Sequence, residues 1–445
     1  MQLWLYRLLV TLLFPLILYS GWKRCRKAQQ KALTTEDDVE IPHCFAARLG
    51  RNPTPFQTNG IWIHAVSVGE TRSIFPLLKQ LHQRYPDLAI TVTSGSTQGA
   101  QQALRFSPVP IQHQMIPYDF PSAVNRFLDQ LKPKLVMMVE TEIWPNLYQA
   151  CHQRNIPIVL INARLKAASF NAYQKWGGKM LRDALNQTTF IAAQFPADAE
   201  RFAKLGALPN KLKTLGNLKF DIEIQPGLVK IGQEFKQNNM LSDRFVWVAA
   251  STHEHEETLI LQAHQTLLQT IPNALLILVP RHANRFEAVQ QICKASTLST
   301  QTRSQLQQTQ AHLSASTQVL LGDSVGELML WFSVSQVAFI GGSLVPFGGH
   351  NILEPAALHK PVLSGPWFQN LQSLFEPFIE AQAIQICQNP EHLATTLMDL
   401  AQNPEKQKAA GEAAYNCFAQ QTGALNRLMQ ALDPLFKTKL TTKSS

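Results

Sequence analysis

Two carboxylate-bearing junctions dominate the first half of the chain. Ser67-Val68-Gly69-Glu70 follows the apolar run IWIHAV (61–66) and opens a helical stretch. A carboxylate there can take the proton from a hydroxyl nucleophile. It can equally be an acid sitting favourably on a helix dipole. Gly69 permits a tight turn beside it. The second junction, after KLVMMV (134–139), reads Glu140-Thr141-Glu142-Ile143-Trp144-Pro145-Asn146. Two acids ahead of Trp-Pro fit either a ligand site or a helix start with Pro in its first turn. Lys219, within Gly216-Asn217-Leu218-Lys219-Phe220-Asp221, can neutralise a departing phosphate or be a loop lysine at the surface.

The second half offers anion-binding chemistry instead. Pro280-Arg281-His282 ends an apolar run, and a guanidinium there is suited to clamping phosphate. Val325, Gly326 and Glu327 open another helical stretch after VLLG. The richest segment is GGSLVPFGGHNILEPAALHKPVLSGP (341–366), in which Asn351, Ile352, Leu353 and Glu354 start a helix behind a Gly-rich loop. Amides freed by glycines can cradle phosphate, and a carboxylate one turn in can accept from ribose hydroxyls. No GxGxxG follows a first strand and no GxxxxGK[ST] occurs. Ser251-Thr252-His253-Glu254-His255-Glu256-Glu257 lacks HExxH spacing and reads as ordinary capping rather than a metal site.

These residues need a scaffold that gathers strand ends. Short apolar runs at 61–66, 89–94, 134–140 and 156–162 alternate with helical stretches at 73–85, 97–106 and 144–154. A second alternation has strands at 245–250, 274–280, 318–322 and 336–342, with helices at 257–268, 325–332 and 351–359. Such alternation implies βαβ units and parallel sheets, whose ligands collect at the carboxyl ends of the strands. The expected fold is α/β: two doubly wound Rossmann-like domains facing a cleft. Residues 1–30 would be an N-terminal membrane-anchor helix with a basic flank, 31–221 a first α/β domain and 222–243 a linker with a short helix. Residues 244–436 would be a second α/β domain, whose terminal helix (about 405–436) can cross back, and 437–445 a frayed tail.

With 445 residues, the chain exceeds what one core supports. Its formal charge of +9 suggests acidic partners, and no RNA-binding signature is present. Cys25, Cys44, Cys151, Cys293, Cys387 and Cys417 are scattered, which suits free thiols in a reducing compartment. Leu8 to Tyr19 is apolar, preceded by Arg7 and followed by Lys23, Arg24, Arg26 and Lys27. It is short for a span of ~20 residues, so it would either cross with snorkelling ends or lie in the interface. The positive flank favours placing the rest of the chain on the cytoplasmic side.

Segment 341–366 resembles the nucleotide-sugar site of GT-B glycosyltransferases. Together with HAVSVGE, ETEIWPN, NARL, GNLKFD, PRH and GELM, it makes the chain similar to the Kdo (3-deoxy-D-manno-octulosonic acid) transferases of lipopolysaccharide synthesis. The resemblance implies GT-B architecture, with 31–221 the acceptor domain and 244–436 the nucleotide-sugar domain, and transfer of Kdo from CMP-Kdo to a lipid A precursor at the inner membrane, without cofactor or metal. It implies Glu70 as catalytic base, with Glu140 and Lys219 stabilising the transition state. It places nucleotide contacts on Pro280, Arg281, Val325, Gly326, Glu327 and Asn351 to Glu354. The rival readings are a UDP-sugar-dependent GT-B enzyme and a non-catalytic membrane-anchored nucleotide- or lipid-binding protein.

Overall fold

Alternate residues of Ile61–Ala65 (β1) go to opposite sides of a sheet. Ile61, Ile63 and Ala65 enter one apolar cluster and Trp62 another. Burial on both faces is what a parallel sheet requires. In the computed structural model, which describes residues 1–34, 39–222 and 224–439, the chain divides into two compact units. One is Met1–Asp221 together with the chain from Thr422, and the other is Ile222–Gln421.

The first unit holds a sheet of β1, β2 (Ile90–Ser94), β3 (Gln112–Met115), β4 (Leu135–Val139), β5 (Ile158–Ala163), β6 (Phe190–Ala193) and β7 (Leu212–Thr214). All pairings are parallel, in the order β3-β2-β1-β4-β5-β6-β7. The strand order reverses between β1 and β4, so their carboxyl ends flank the crevice where such sheets bind ligands. Strand β3, QHQM, carries no apolar run, which is why sequence pattern passes over it. The helix Ala424–Lys439 belongs to this unit and contributes Leu428, Leu432 and Phe436 to the apolar cluster that holds Ile61 and Ile63.

The second unit repeats the design with β8 (Val246–Thr252), β9 (Leu275–Pro280), β10 (Thr300–Thr302), β11 (Val319–Leu321), β12 (Val337–Ile340), β13 (Val362–Ser364) and β14 (Gln385–Ile386). They are again parallel, ordered β10-β11-β9-β8-β12-β13-β14, with the reversal between β8 and β12. The stretch read as a linker contains an eleven-residue helix, Leu228–Asn238.

Three expectations need correction. The long helix over 405–436 is two helices, Pro404–Gln421 and Ala424–Lys439, broken at Gly423 with φ +83°. Asp221 accepts from the amides of Gly423 (2.6 Å) and Leu425 (2.5 Å), which starts the second helix afresh. Cys25 and Cys44 form a disulfide; Cys151, Cys293, Cys387 and Cys417 are buried free thiols. The N-terminal apolar run is divided between Leu3–Leu12 (α1) and Phe14–Thr34 (α2). Among the described residues no single helix is long and apolar enough to cross a membrane, and this pair is bent by 60° at the break. Trp4, Leu8, Leu12, Leu13, Leu16 and Tyr19 lie exposed on it.

Candidate functional site

Ser67 caps the helix Val68–Ser73 (α4) directly after β1. Glu70 lies in its first turn, and its carboxylate turns back on the cap. Oε2 accepts from the Val66 amide at 2.7 Å, and Oε1 accepts from the Ser67 hydroxyl at 2.8 Å. Burial pushes the Glu70 carboxyl above the usual range; the Val66 amide and Ser67 hydroxyl oppose this, while the charges of Glu140 and Glu142 add to it. A poised base gains from such a shift, because its proton affinity approaches what a hydroxyl proton needs in transfer. Gly69 is helical, not a left-handed turn, so the tight-turn expectation does not hold. A Cβ there would meet nothing within 4 Å, so the surface beside Glu70 stays open.

Glu140 comes from the end of β4, the strand that pairs with β1. Its φ is +60°, a conformation that costs a non-glycine residue ~1–2 kcal/mol. Such strain collects at functional sites, where the surroundings hold it. The twist delivers the side chain to Lys219, whose Nζ donates to Oε1 at 3.0 Å. Lys219 is fixed by the short 3-10 turn Leu218–Phe220. Asn217 Oδ1 accepts its amide, and Asn162 Oδ1 accepts the Leu218 amide, both at 3.0 Å. Asn162, at the end of β5, is itself left-handed with φ +50°.

His64 and Glu142 were not singled out by sequence as a pair. His64 is fully buried on β1, with Nδ1 2.9–3.0 Å from the Thr93 hydroxyl and carbonyl. Its Nε2 faces Glu142 at 3.8 Å. The Trp144 indole donates to Glu142 at 2.6 Å. Burial works against ionising Glu142, but His64 and Trp144 outweigh it and hold the carboxyl below its ordinary value. The two acids of one motif thus have different duties: Glu142 is kept charged and tied down, and Glu140 is paired with Lys219. Glu70, Glu140 and Lys219 therefore gather at the β1/β4 reversal.

The second-unit candidates arrange differently from expectation. The amides freed by the glycines of segment 341–366 were expected to cradle phosphate. Instead those of Gly342, Ser343 and Leu344 donate to Glu256 at 2.6, 2.9 and 2.9 Å, and the His253 amide joins them at 3.2 Å. Glu256 is fully buried. Burial raises its carboxyl above the ordinary value against the pull of these amides. It is the internal anion that shapes the glycine loop, and the sequence reading took it for a capping acid. The Gly348 and Gly349 amides return to the Gly342 carbonyl. Asn351 does not cap a helix; it closes a turn, its Oδ1 accepting the Leu353 amide at 3.2 Å ahead of the helix Leu353–Ala357. Ile352 and Leu353 are wholly buried, so only backbone there can meet a ligand, while Glu354 lies in the helix's first turn.

Glu327 does not lie within a helix opening at Val325: the helix is Leu328–Val334, and Glu327 is its cap residue. Its carboxylate is clamped by Arg303, at 3.0 Å from Nε and 2.8 Å from Nη2, and also accepts from Ser324. Burial acts upward on it, but these partners bring its carboxyl below the ordinary value. Val325 is 82% exposed, and Gly326 (φ +90°) has open space around its Cα. Pro280 is buried at the end of β9, and Arg281 follows it, exposed.

Among the described residues, two parallel seven-stranded sheets, each reversing its strand order between two central strands, define a GT-B-like α/β protein. A putative UDP-N-acetylglucosamine 2-epimerase from Listeria monocytogenes shares this fold, with TM-score 0.54 and 16% identity over 86% of this chain and 97% of that one. Residues 43–222 match the family model described as 3-deoxy-D-manno-octulosonic-acid transferase (kdotransferase). The 3-deoxy-D-manno-octulosonic acid transferase of Haemophilus influenzae is 39% identical over 84% of this chain and 87% of its own length. That of Bordetella pertussis is 31% identical over 96% and 98%. The chain belongs to the 3-deoxy-D-manno-octulosonic acid transferase family and is, by that membership, a glycosyltransferase.

Proposed function

We propose that this enzyme transfers Kdo from CMP-Kdo to a sugar hydroxyl of a lipid A precursor of the lipid IVA type, with inversion, at the cytoplasmic face of the inner membrane. The observation that carries the reading is Glu70: a half-buried carboxylate with raised proton affinity, beside an ion pair, under open surface. In the proposed step the acceptor oxygen forms a bond to the anomeric carbon of Kdo and gives its proton to Glu70. The bond from that carbon to the phosphate oxygen breaks, and CMP leaves with the electron pair. Glu140 and Lys219 stabilise the oxocarbenium-like transition state, as paired charges do where charge develops.

Donor contacts are assigned to Pro280 and Arg281, to Val325, Gly326 and Glu327, and to Asn351, Ile352, Leu353 and Glu354. Arg281 is the phosphate clamp of this set. Backbone groups act at the buried Ile352 and Leu353, and Glu354 accepts from the ribose. The exposed apolar side chains of α1 and α2 support membrane attachment, with the pair either lying in the interface or crossing as a bent span.

The test is transfer from CMP-Kdo generated in situ to a tetraacylated lipid A precursor, followed by mass spectrometry, with Glu70→Gln alongside. Kdo-sized additions that the variant loses support the reading. No addition by folded wild type overturns it and favours a UDP-sugar donor.

A further inference from the structure

A cavity of ≈ 500 Å³ lies in the first unit, with Val66 in its lining. Its wall includes Arg24, Lys27 and Lys31 from α2 and Arg48 from the short helix Cys44–Arg48 (α3). The first-turn residues Thr97 and Gln98 of the helix Thr97–Phe106 complete it. None of the lining residues is acidic among the described residues.

Arg24, Lys27 and Arg48 share one concavity and repel each other, an arrangement that an anion would offset. Arg48 makes the case specific. It is only 6% exposed, and its Nη2 donates to the Gly95 carbonyl at 2.6 Å, while its Nε is buried without a hydrogen-bond partner. A buried guanidinium with an unused donor is costly unless a ligand satisfies it. Burial lowers the Arg48 proton affinity, and the Arg24 charge lowers it further. The disulfide Cys25–Cys44 pins the turn after Arg24 to the turn before Arg48. Ser96 caps the helix by accepting the Gly99 amide, leaving its first-turn amides beside the cavity.

The link to chemistry is Val66. Its carbonyl accepts from the Ser96 hydroxyl at 2.7 Å, and its amide donates to Glu70 at 2.7 Å. One residue therefore borders both the cavity and the base. We propose that this cavity binds a phosphate monoester of the glycolipid acceptor and so sets which hydroxyl reaches Glu70. The inference rests on the acceptor reading above.

The test is the double variant Arg24→Glu/Lys27→Glu, both residues being exposed, assayed in detergent with a phosphorylated tetraacyl disaccharide and its phosphatase-treated form. The expected result is a rise of about tenfold or more in KM for the phosphorylated acceptor, with kcat nearly kept, and loss of the preference for it over the dephosphorylated form. Equal loss on both acceptors, or an unchanged KM, overturns the proposal. Isothermal titration with the phosphorylated disaccharide separates the two claims. Binding by a wild type that does not transfer Kdo would sink the function and leave this inference standing. Equal binding by wild type and variant would sink the inference. A variant that loses only its affinity for phosphatidylglycerol vesicles would also overturn it, by reassigning the cations to lipid headgroups.

Discussion

Lys219 Nζ and Glu140 Oε1 are 3.0 Å apart, although 79 residues separate them in the chain. The lysine reaches the acid from a 3-10 turn, and the acid reaches the lysine from a left-handed strand end. Each side chain is thereby held by backbone geometry that the other does not supply, so each can be removed without unfolding the other's support.

Removal of either partner should act on catalysis more than on folding. Glu140→Gln and Lys219→Met are each expected to lower kcat by about 10²–10³, the scale of losing one preorganised charge. The double variant should lose far less than the product of the two, because the pair works as a unit. Full additivity in steady-state kinetics would show that they act separately.

The strain at Glu140 has its own signature. Glu140→Asn substitutes a residue that tolerates positive φ, and should leave thermal stability equal or raised by about 1 kcal/mol while lowering kcat as Glu140→Gln does. A melting temperature lowered by several degrees would show that the ion pair stabilises more than the backbone costs.

Glu70 should govern the acidic limb of the rate profile. A base must be ionised to act, so kcat/KM falls as pH drops through its pKa. That pKa is raised by burial and, in part, by the Glu140 charge. The limb should therefore lie above that of an ordinary carboxylate, and Glu140→Gln should move it to lower pH. Glu70→Gln should reduce kcat by about 10²–10⁴. A limb that stays in place in the Glu140 variant would rule out the coupling.

Glu256 should prove structural. Glu256→Gln replaces a carboxylate that accepts four backbone amides with a group having one acceptor oxygen. Loss of roughly 2–4 kcal/mol is expected in chemical denaturation, with weaker CMP binding as the loop loosens. Arg281→Ala, by contrast, should weaken CMP binding by about tenfold or more with stability unchanged. Calorimetric titration with CMP on both variants distinguishes the two roles.

Much of the β1 and β4 site was legible in the sequence, for a physical reason. Buried parallel strands need continuous apolar runs, and the residue after such a run must lie at a strand end. IWIHAV and KLVMMV therefore announced where Glu70 and Glu140 would stand. Polar strands such as β3 gave no such signal, and the break at Gly423 hid in a continuous helical pattern. Local sequence likewise established the motifs that mark the family and the amphipathic apolar start of the chain. Tertiary structure decided the pairings. That Glu256, and not a ligand, takes the glycine-loop amides depends on bringing residues 256 and 342–344 together at the β8/β12 reversal. That Arg48 faces Arg24 and Lys27 across a cavity depends on packing α2 against α3. Charges and hydrogen bonds act through a few ångströms of space, and only the folded chain sets those distances.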